Sequence, residues 1–205
     1  MDAHGLSAAE LRVLRADEPE LALCEHLAGH DGSLILRSTS AGGHDGGPLL
    51  DRTAEAIMSR LPQPLLLLGP RQTNPRGDAQ LSPVTVRDGA SEAASLDSAT
   101  EIWISTFTNI QPELLDVFPP DPWPRSGVDP GPKVRAARSG TVLTELRTVD
   151  LGDAVLSHLN GRRDAVVVVS SPRWSSAASH WWSTARRLVR HLSCPVLVVP
   201  MVGRQ

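Results

Sequence analysis

The feature that most constrains this chain is that it repeats itself. The segment ELRVLRADEPELALCEHLAGHDGSLILRSTS lies over TELRTVDLGDAVLSHLNGRRDAVVVVSS with His26 on His158, an offset of 132 positions. At that offset Leu14 meets Leu146, Arg15 meets Arg147, Ala22 meets Ala154, Leu27 meets Leu159, Gly29 meets Gly161 and Ser38 meets Ser170. Further on, RLPQPLLLLGP lies over HLSCPVLVVPM, with Leu61 on Leu192 and Pro64 on Pro195, an offset of 131. Two blocks in one order, with a single residue lost between them, point to an internal duplication.

Each copy has one pattern. An extended segment (Leu11–Arg15; Val142–Val149) precedes a helix entered through Asp17 with Glu20, or through Asp150 with Asp153. Acidic residues there accept from free N–H groups and suit the helix dipole. Gly29 and Gly161 stand where a left-handed residue ends a helix. A short apolar strand follows (Ser33–Leu36; Ala165–Val169), then a loop and a second helix (Leu50–Leu61; Trp181–Leu192). In the later helix Trp181, Ala185, Leu188 and Leu192 share one face, and Arg186, Arg187 and Arg190 point away. Proline stops each helix, and a strand closes each copy (Leu65–Leu68; Val196–Val199). Strands separated by helices imply parallel, right-handed crossovers.

The second copy has more in front of it. Pro83–Arg87 reads as a first strand, Asp88-Gly89 as a turn, and SEAASLDSATEIWISTF as a helix capped by Ser91. Glu113–Phe118 reads as a second strand. Residues Asp121–Arg138 are rich in Pro, Gly and charge and read as a loop, and Gln72–Gly77 as a linker. The chain thus divides into a truncated unit at 1–72 and a complete one at 80–205. The fold class is α/β, with a doubly wound, parallel, five-stranded sheet in the second unit and a partial copy of that unit before it.

Composition narrows the function. The net charge is −3 with 21% charged residues, which gives no general attraction to nucleic acid or an anionic membrane. Two Phe, five Trp and no Tyr leave the core to aliphatic side chains. The apolar runs Leu65–Leu68 and Ala165–Val169 fall far short of the ~20 residues of a membrane span. With no basic region followed by an apolar run at the start, the expected location is the cytoplasm. Cys24 and Cys194 are too few for a disulfide framework and read as buried free thiols.

The stretches PVTVRDGAS and ARRLVRHLSCPVLVVP resemble the universal stress protein family, whose members have a strand ending in Asp-Gly-Ser and a similar closing helix, proline and branched strand. The resemblance covers Leu81–Val202 and, through the repeat, Leu11–Pro70. It implies a doubly wound sheet of five parallel strands, with the first strand between the third and the fourth. It also implies pairing through the last strand, between chains or between tandem units, here Leu65–Leu68 with Val196–Val199.

Many members of that family bind ATP through a motif of Gly, two residues, Gly, nine residues, then Gly-Ser or Gly-Thr. Here the spacing falls on Ser170, Arg173 and Ser183-Thr184, and none is glycine. Glycine serves such a loop because backbone N–H must approach phosphate without an intervening Cβ. Trp174, Trp181 and Trp182 add bulk beside it. Asp88, Thr184 and Arg173 are left as polar contacts for a nucleotide. The reading that follows is a non-enzymatic interaction or regulatory protein with no cofactor. The alternative is an ATP- or AMP-binding stress-response regulator with at most slow hydrolysis.

Sharper chemistry finds little footing. The first unit's loop, STSAGGHDGGPLLDRT, carries Asp45 and Asp51 and no Lys or Arg between Arg37 and Arg52, and reads as a surface loop. Among seven histidines only His26 and His30 have helical metal-ligand spacing, and they straddle Gly29. His26 and His158 are equivalent by repeat and read as helix-end residues. No G-x-S-x-G elbow supports a serine hydrolase. Arg186, Arg187 and Arg190 read as a solvated face, or else as a partner- or phosphate-facing patch. The truncated unit lacks its first two strands, so the edge of Ser33–Leu36 needs covering. Another copy of the chain, a protein partner or the rearranged N-terminal segment is the expected cover.

Overall fold

The computed structural model describes residues 15–30, 33–39, 57, 60–61, 63–72, 81–87, 110, 112–118, 133–136, 141–172 and 179–201. For 133–136, 170–172, 179–184 and 200–201 it describes the backbone alone. The described elements run α1 (Pro19–Ala28), β1 (Ile35–Ser38), β2 (Leu65–Leu68), β3 (Ser82–Arg87), β4 (Glu113–Phe118), β5 (Lys133–Ala136), β6 (Val142–Arg147), α2 (Leu151–His158), β7 (Ala165–Pro172), α3 (Ser179–His191) and β8 (Val196–Met201). All eight strands form one sheet in the order β1-β2-β8-β7-β3-β4-β6-β5.

From β8 across to β6 the sheet is parallel. Its middle is the apolar run of β7, where Val166, Val167 and Val168 are fully buried. A strand buried on both faces can be continuously apolar, and each such side chain contributes about 1.5–3 kcal/mol. On one face Leu67, Val84, Leu115, Val167 and Val196 pack under Val155 and Leu159 of α2 and Leu188 and Leu192 of α3. Cys24 of α1 and Ile57 join the same layer. On the other face Leu66, Val166, Val168, Leu197 and Val199 form a second apolar cluster. Both cysteines are buried free thiols, and burial pushes Cys194 up to about 11, which makes it a poor nucleophile.

The strand order corrects the expectation drawn from the resemblance. Within residues 80–205 the first strand, β3, lies between the second and the fourth, β4 and β7, rather than between the third and the fourth. β3 pairs directly with the strand that follows it in the chain, so the sheet grows one way to β6 and then turns back to β7 and β8. The expected loop at Asp121–Arg138 contains β5, antiparallel to β6 with Lys133 opposite Glu145 and Ala136 opposite Val142. Four residues with few apolar positions leave little strand signal in the sequence; the ladder to β6 supplies the order.

Helix ends divide between fulfilled and failed expectations. Asp150 caps α2: its Oδ1 accepts from the Asp153 N–H at 2.9 Å, and that bond, ahead of Arg187, holds its carboxyl below the usual range. Gly161 has φ +77, as a left-handed stop requires. Gly29 has φ −80 and is not left-handed. Instead the Gln63 amide donates to Leu27 O at 3.2 Å, and the His30 ring meets His26 O at 2.9 Å, so side chains cover the end of α1. At its start the N-cap is Glu18 rather than Asp17, with no side-chain cap, because Pro19 sits in the first turn and supplies a preset φ. The strand expected at Ser33–Leu36 begins two residues later, where pairing with β2 begins.

Of the expected helix Leu50–Leu61, residues Ile57 and Arg60 are described and helical. The Leu11–Leu14 segment, the Ser91 helix, the Asp88-Gly89 turn and linker residues 73–77 lie outside the described residues. Beyond β2, the Gln72 N–H closes a turn on Gly69 O at 3.1 Å. A Cβ on Gly69 would lie 2.1 Å from the backbone oxygen of Val189. The turn that follows β2 is therefore pressed against α3.

Candidate functional site

In a doubly wound sheet, ligands bind beyond the carboxyl ends of the strands at the point where strand order reverses. Here that point is between β3 and β7. Their ladder ends at Thr85 opposite Val168, and β3 continues to Arg87 while β7 runs on to Pro172. This is where the sequence motif falls, since Asp88 follows Arg87 directly and Ser170 is in β7. The structure thus places Ser170, in β7, on the strand beside β3, whose last residue is Arg87. Ser183 and Thr184 are in the first half of α3, described by backbone alone. Asp88 and Arg173 lie outside the described residues.

The backbone at the start of the motif is committed to the sheet. Ser170, Ser171 and Pro172 are β-strand, in register with Val199, Pro200 and Met201 of β8. The strand expected to end at Val169 thus runs three residues further, and its last residue, Pro172, has no N–H at all. The cation at the mouth is also engaged. Arg87 Nε donates to Asp116 Oδ1 at 2.6 Å and its second nitrogen to Oδ2 at 2.9 Å, a two-pronged pair with both side chains less than one-fifth exposed. Sequence reading missed this pair because the partners are 29 residues apart on neighbouring strands.

A second cluster sits at the opposite, amino end of the sheet. Glu113 starts β4; its Oε1 accepts from His158 Nε2 at 2.7 Å and its Oε2 from Arg162 at 2.6 Å. Arg162 also reaches Asp164 at 3.4 Å. The His158 hydrogen bond first, and Arg162 after it, hold the Glu113 carboxyl down at about 2 against the upward pull of burial. His158 is thus more than a helix-end residue: it fastens α2 to β4. Arg187, expected to be solvated, instead reaches across to α2, donating to Asp150 Oδ2 at 3.1 Å and to Asp153 Oδ1.

Comparison with known proteins separates sequence from fold. No family model and no curated protein matches the sequence. Solved structures do match. A universal stress protein from Archaeoglobus fulgidus superposes with TM-score 0.61 over 89% of this chain and 67% of that one, at 12% identity. The chain has the universal stress protein fold. A functionally unknown protein from Pseudomonas aeruginosa is similar at TM-score 0.55 and 12% identity, over 91% of this chain and 69% of that one. Within the universal stress protein fold, the reversal point between β3 and β7 is the place where a ligand is to be sought. No described helix is long and apolar enough to cross a membrane.

Proposed function

We propose that this protein is a non-enzymatic, stress-related regulatory or interaction protein of the universal stress protein kind, whose switch-point crevice does not take ATP. The observation that carries this is the β7–β8 ladder through Ser170–Pro172. A phosphate loop needs free backbone N–H groups turned toward the ligand, and this stretch is extended strand ending in proline. The Arg87 charge is answered by its two-pronged pair with Asp116. NMR titration with ATP and AMP in magnesium should leave the amides of Ser170 and Thr184 unmoved. Saturable micromolar shifts at those amides would establish the alternative, an ATP- or AMP-binding regulator with at most slow hydrolysis. Asp88, directly after β3, is the residue that would favour that outcome.

The two units read as a tandem duplication. β1 pairs with β2 as β7 pairs with β8: Ile35 opposes Leu65 where Val167 opposes Val196, which are the partners given by the sequence offsets of 132 and 131. The antiparallel contact of β2 with β8 centres on Leu66 opposite Leu197, which are themselves equivalent, so a local two-fold axis relates the units. In the second unit β3 pairs with the other side of β7; no described strand takes that place beside β1. The proposed interaction uses this open side, where Leu36 is 62% exposed, to pair with a second copy of the chain. Light scattering should then give a dimer that Leu36→Lys dissociates. A wild-type monomer at high concentration overturns the assignment.

A further inference from the structure

An open pocket of about 410 Å³ lies where the two units meet, at the opposite end of the sheet from the switch point. Arg71, from the turn that leaves β2, closes one side. Arg187 and His191 line it from α3, and Ser157, Asn160 and Ser193 add hydroxyl and amide groups. Leu159 and Leu192, both nearly fully buried, form an apolar floor. The volume is that of a small-molecule site, and sites favour the junctions between units.

The charge in this pocket is unbalanced. Arg187 has two of its nitrogens on Asp150 and Asp153, at the rim toward the start of α2. Arg71 and Arg190 have no acidic partner among the described residues. Basic residues in the last turn of α3, Arg190 and His191, are explained by the helix dipole. Arg71 is not, because it comes from another element and is brought up near His191 and Arg190. Burial, and after it the charges of Arg71, Arg190 and Arg187, push the His191 ring below its ordinary pKa. Like charges gathered around a pocket of hydrogen-bond donors are what a bound anion would relieve. The pseudo-equivalent place in the first unit has Glu25 where the second has Ser157, so the duplication does not repeat the site.

We infer that this pocket binds the phosphoryl group of a small phosphorylated metabolite, held by Arg71 and His191, with Arg187 at the rim already answered by Asp150 and Asp153. Arginine matches phosphate oxygens two at a time, which suits Arg71, the lining arginine with no described acidic partner, to a phosphoryl group. The leucine floor accepts the apolar part of the same molecule. The site would report a metabolite through the contact between the two units, since its walls belong to both.

The test titrates the full chain with inorganic phosphate and pyrophosphate, following the His191 ring protons by NMR, with chloride at matched ionic strength as the control. Saturable shifts are expected for pyrophosphate, with the ring pKa rising as the anion binds, because the bound charge offsets Arg71, Arg187 and Arg190. Arg71→Ala should weaken binding about tenfold or more, and Asn160→Asp, which adds a charge at the rim, should do the same by a second route. Arg60→Ala, an exposed arginine elsewhere, should change nothing. Arg71 and His191 are exposed, and a thermal melt of each variant checks that it is folded. Equal shifts with chloride, binding indifferent to Arg71→Ala and Asn160→Asp, or equal affinity for citrate would each overturn the assignment. ATP-induced shifts that vanish in Arg71→Ala belong to this pocket; shifts at Ser170 and Thr184 that survive it concern the switch-point crevice, so the two readings fail separately.

Discussion

Gly69→Ala is expected to lower the melting temperature by roughly 6–12 °C, the equivalent of about 3 kcal/mol for a chain of this size. The new Cβ would lie 2.1 Å from Val189 O and 3.2 Å from the carbonyl carbon, both backbone atoms of α3. A flexible side chain could swing away, but a helix carbonyl cannot. The turn must therefore lift off α3, which also pulls Arg71 out of the pocket and strains the β2–β8 ladder. Gly29→Ala is the matched control. Its Cβ would be 3.7 Å from the nearest atom, at an ordinary φ of −80, so that change should be close to neutral. Calorimetric melts of both variants decide the matter: if Gly69→Ala melts within about 2 °C of wild type, the turn after β2 does not press on α3.

Glu113→Gln is expected to cost about 2–3 kcal/mol at neutral pH in urea unfolding. Removing the carboxylate leaves the partly buried His158 without its acidic partner and Arg162 with only the longer contact to Asp164. Those side chains are about one-quarter exposed, so the cost falls below that of a fully buried pair. The pH dependence follows from the direction of the shift. Glu113 is near 4.5 when unfolded and about 2 when folded. Above pH 4.5 it is ionised in both states and its contribution is fully present. As pH falls from 4.5 toward 2 the unfolded chain takes up the proton first, and stability drains away. Wild type should lose about 2–3 kcal/mol over that window through this group, and Glu113→Gln should lose correspondingly less. Equal acid slopes would show that the carboxylate is not held down by its partners.

What the sequence determined by itself is the local content. The repeat offsets place β1, β2, β7 and β8, and the pairing registers coincide with them, because apolar runs bounded by proline and glycine leave a strand few alternatives. Asp150 with Asp153 and the glycine at 161 mark their helix ends for the same reason: caps are made within a few residues. Where local signals competed, they misled. Pro19 displaced the Asp17 cap, and Gln63, 36 positions from Leu27, took over the closing role assigned to Gly29.

What only the tertiary structure decided is everything built across the sheet. The order that sets β3 beside β4 and β7 and the short β5 edge are pairings between strands, and the Arg87–Asp116 fork and the Glu113–His158–Arg162 cluster join residues 29 to 49 positions apart. No spacing rule reaches that far. The pocket at Arg71 belongs with them. Its walls come from the turn after β2 and from α2 and α3, and that meeting depends on Gly69 having no side chain.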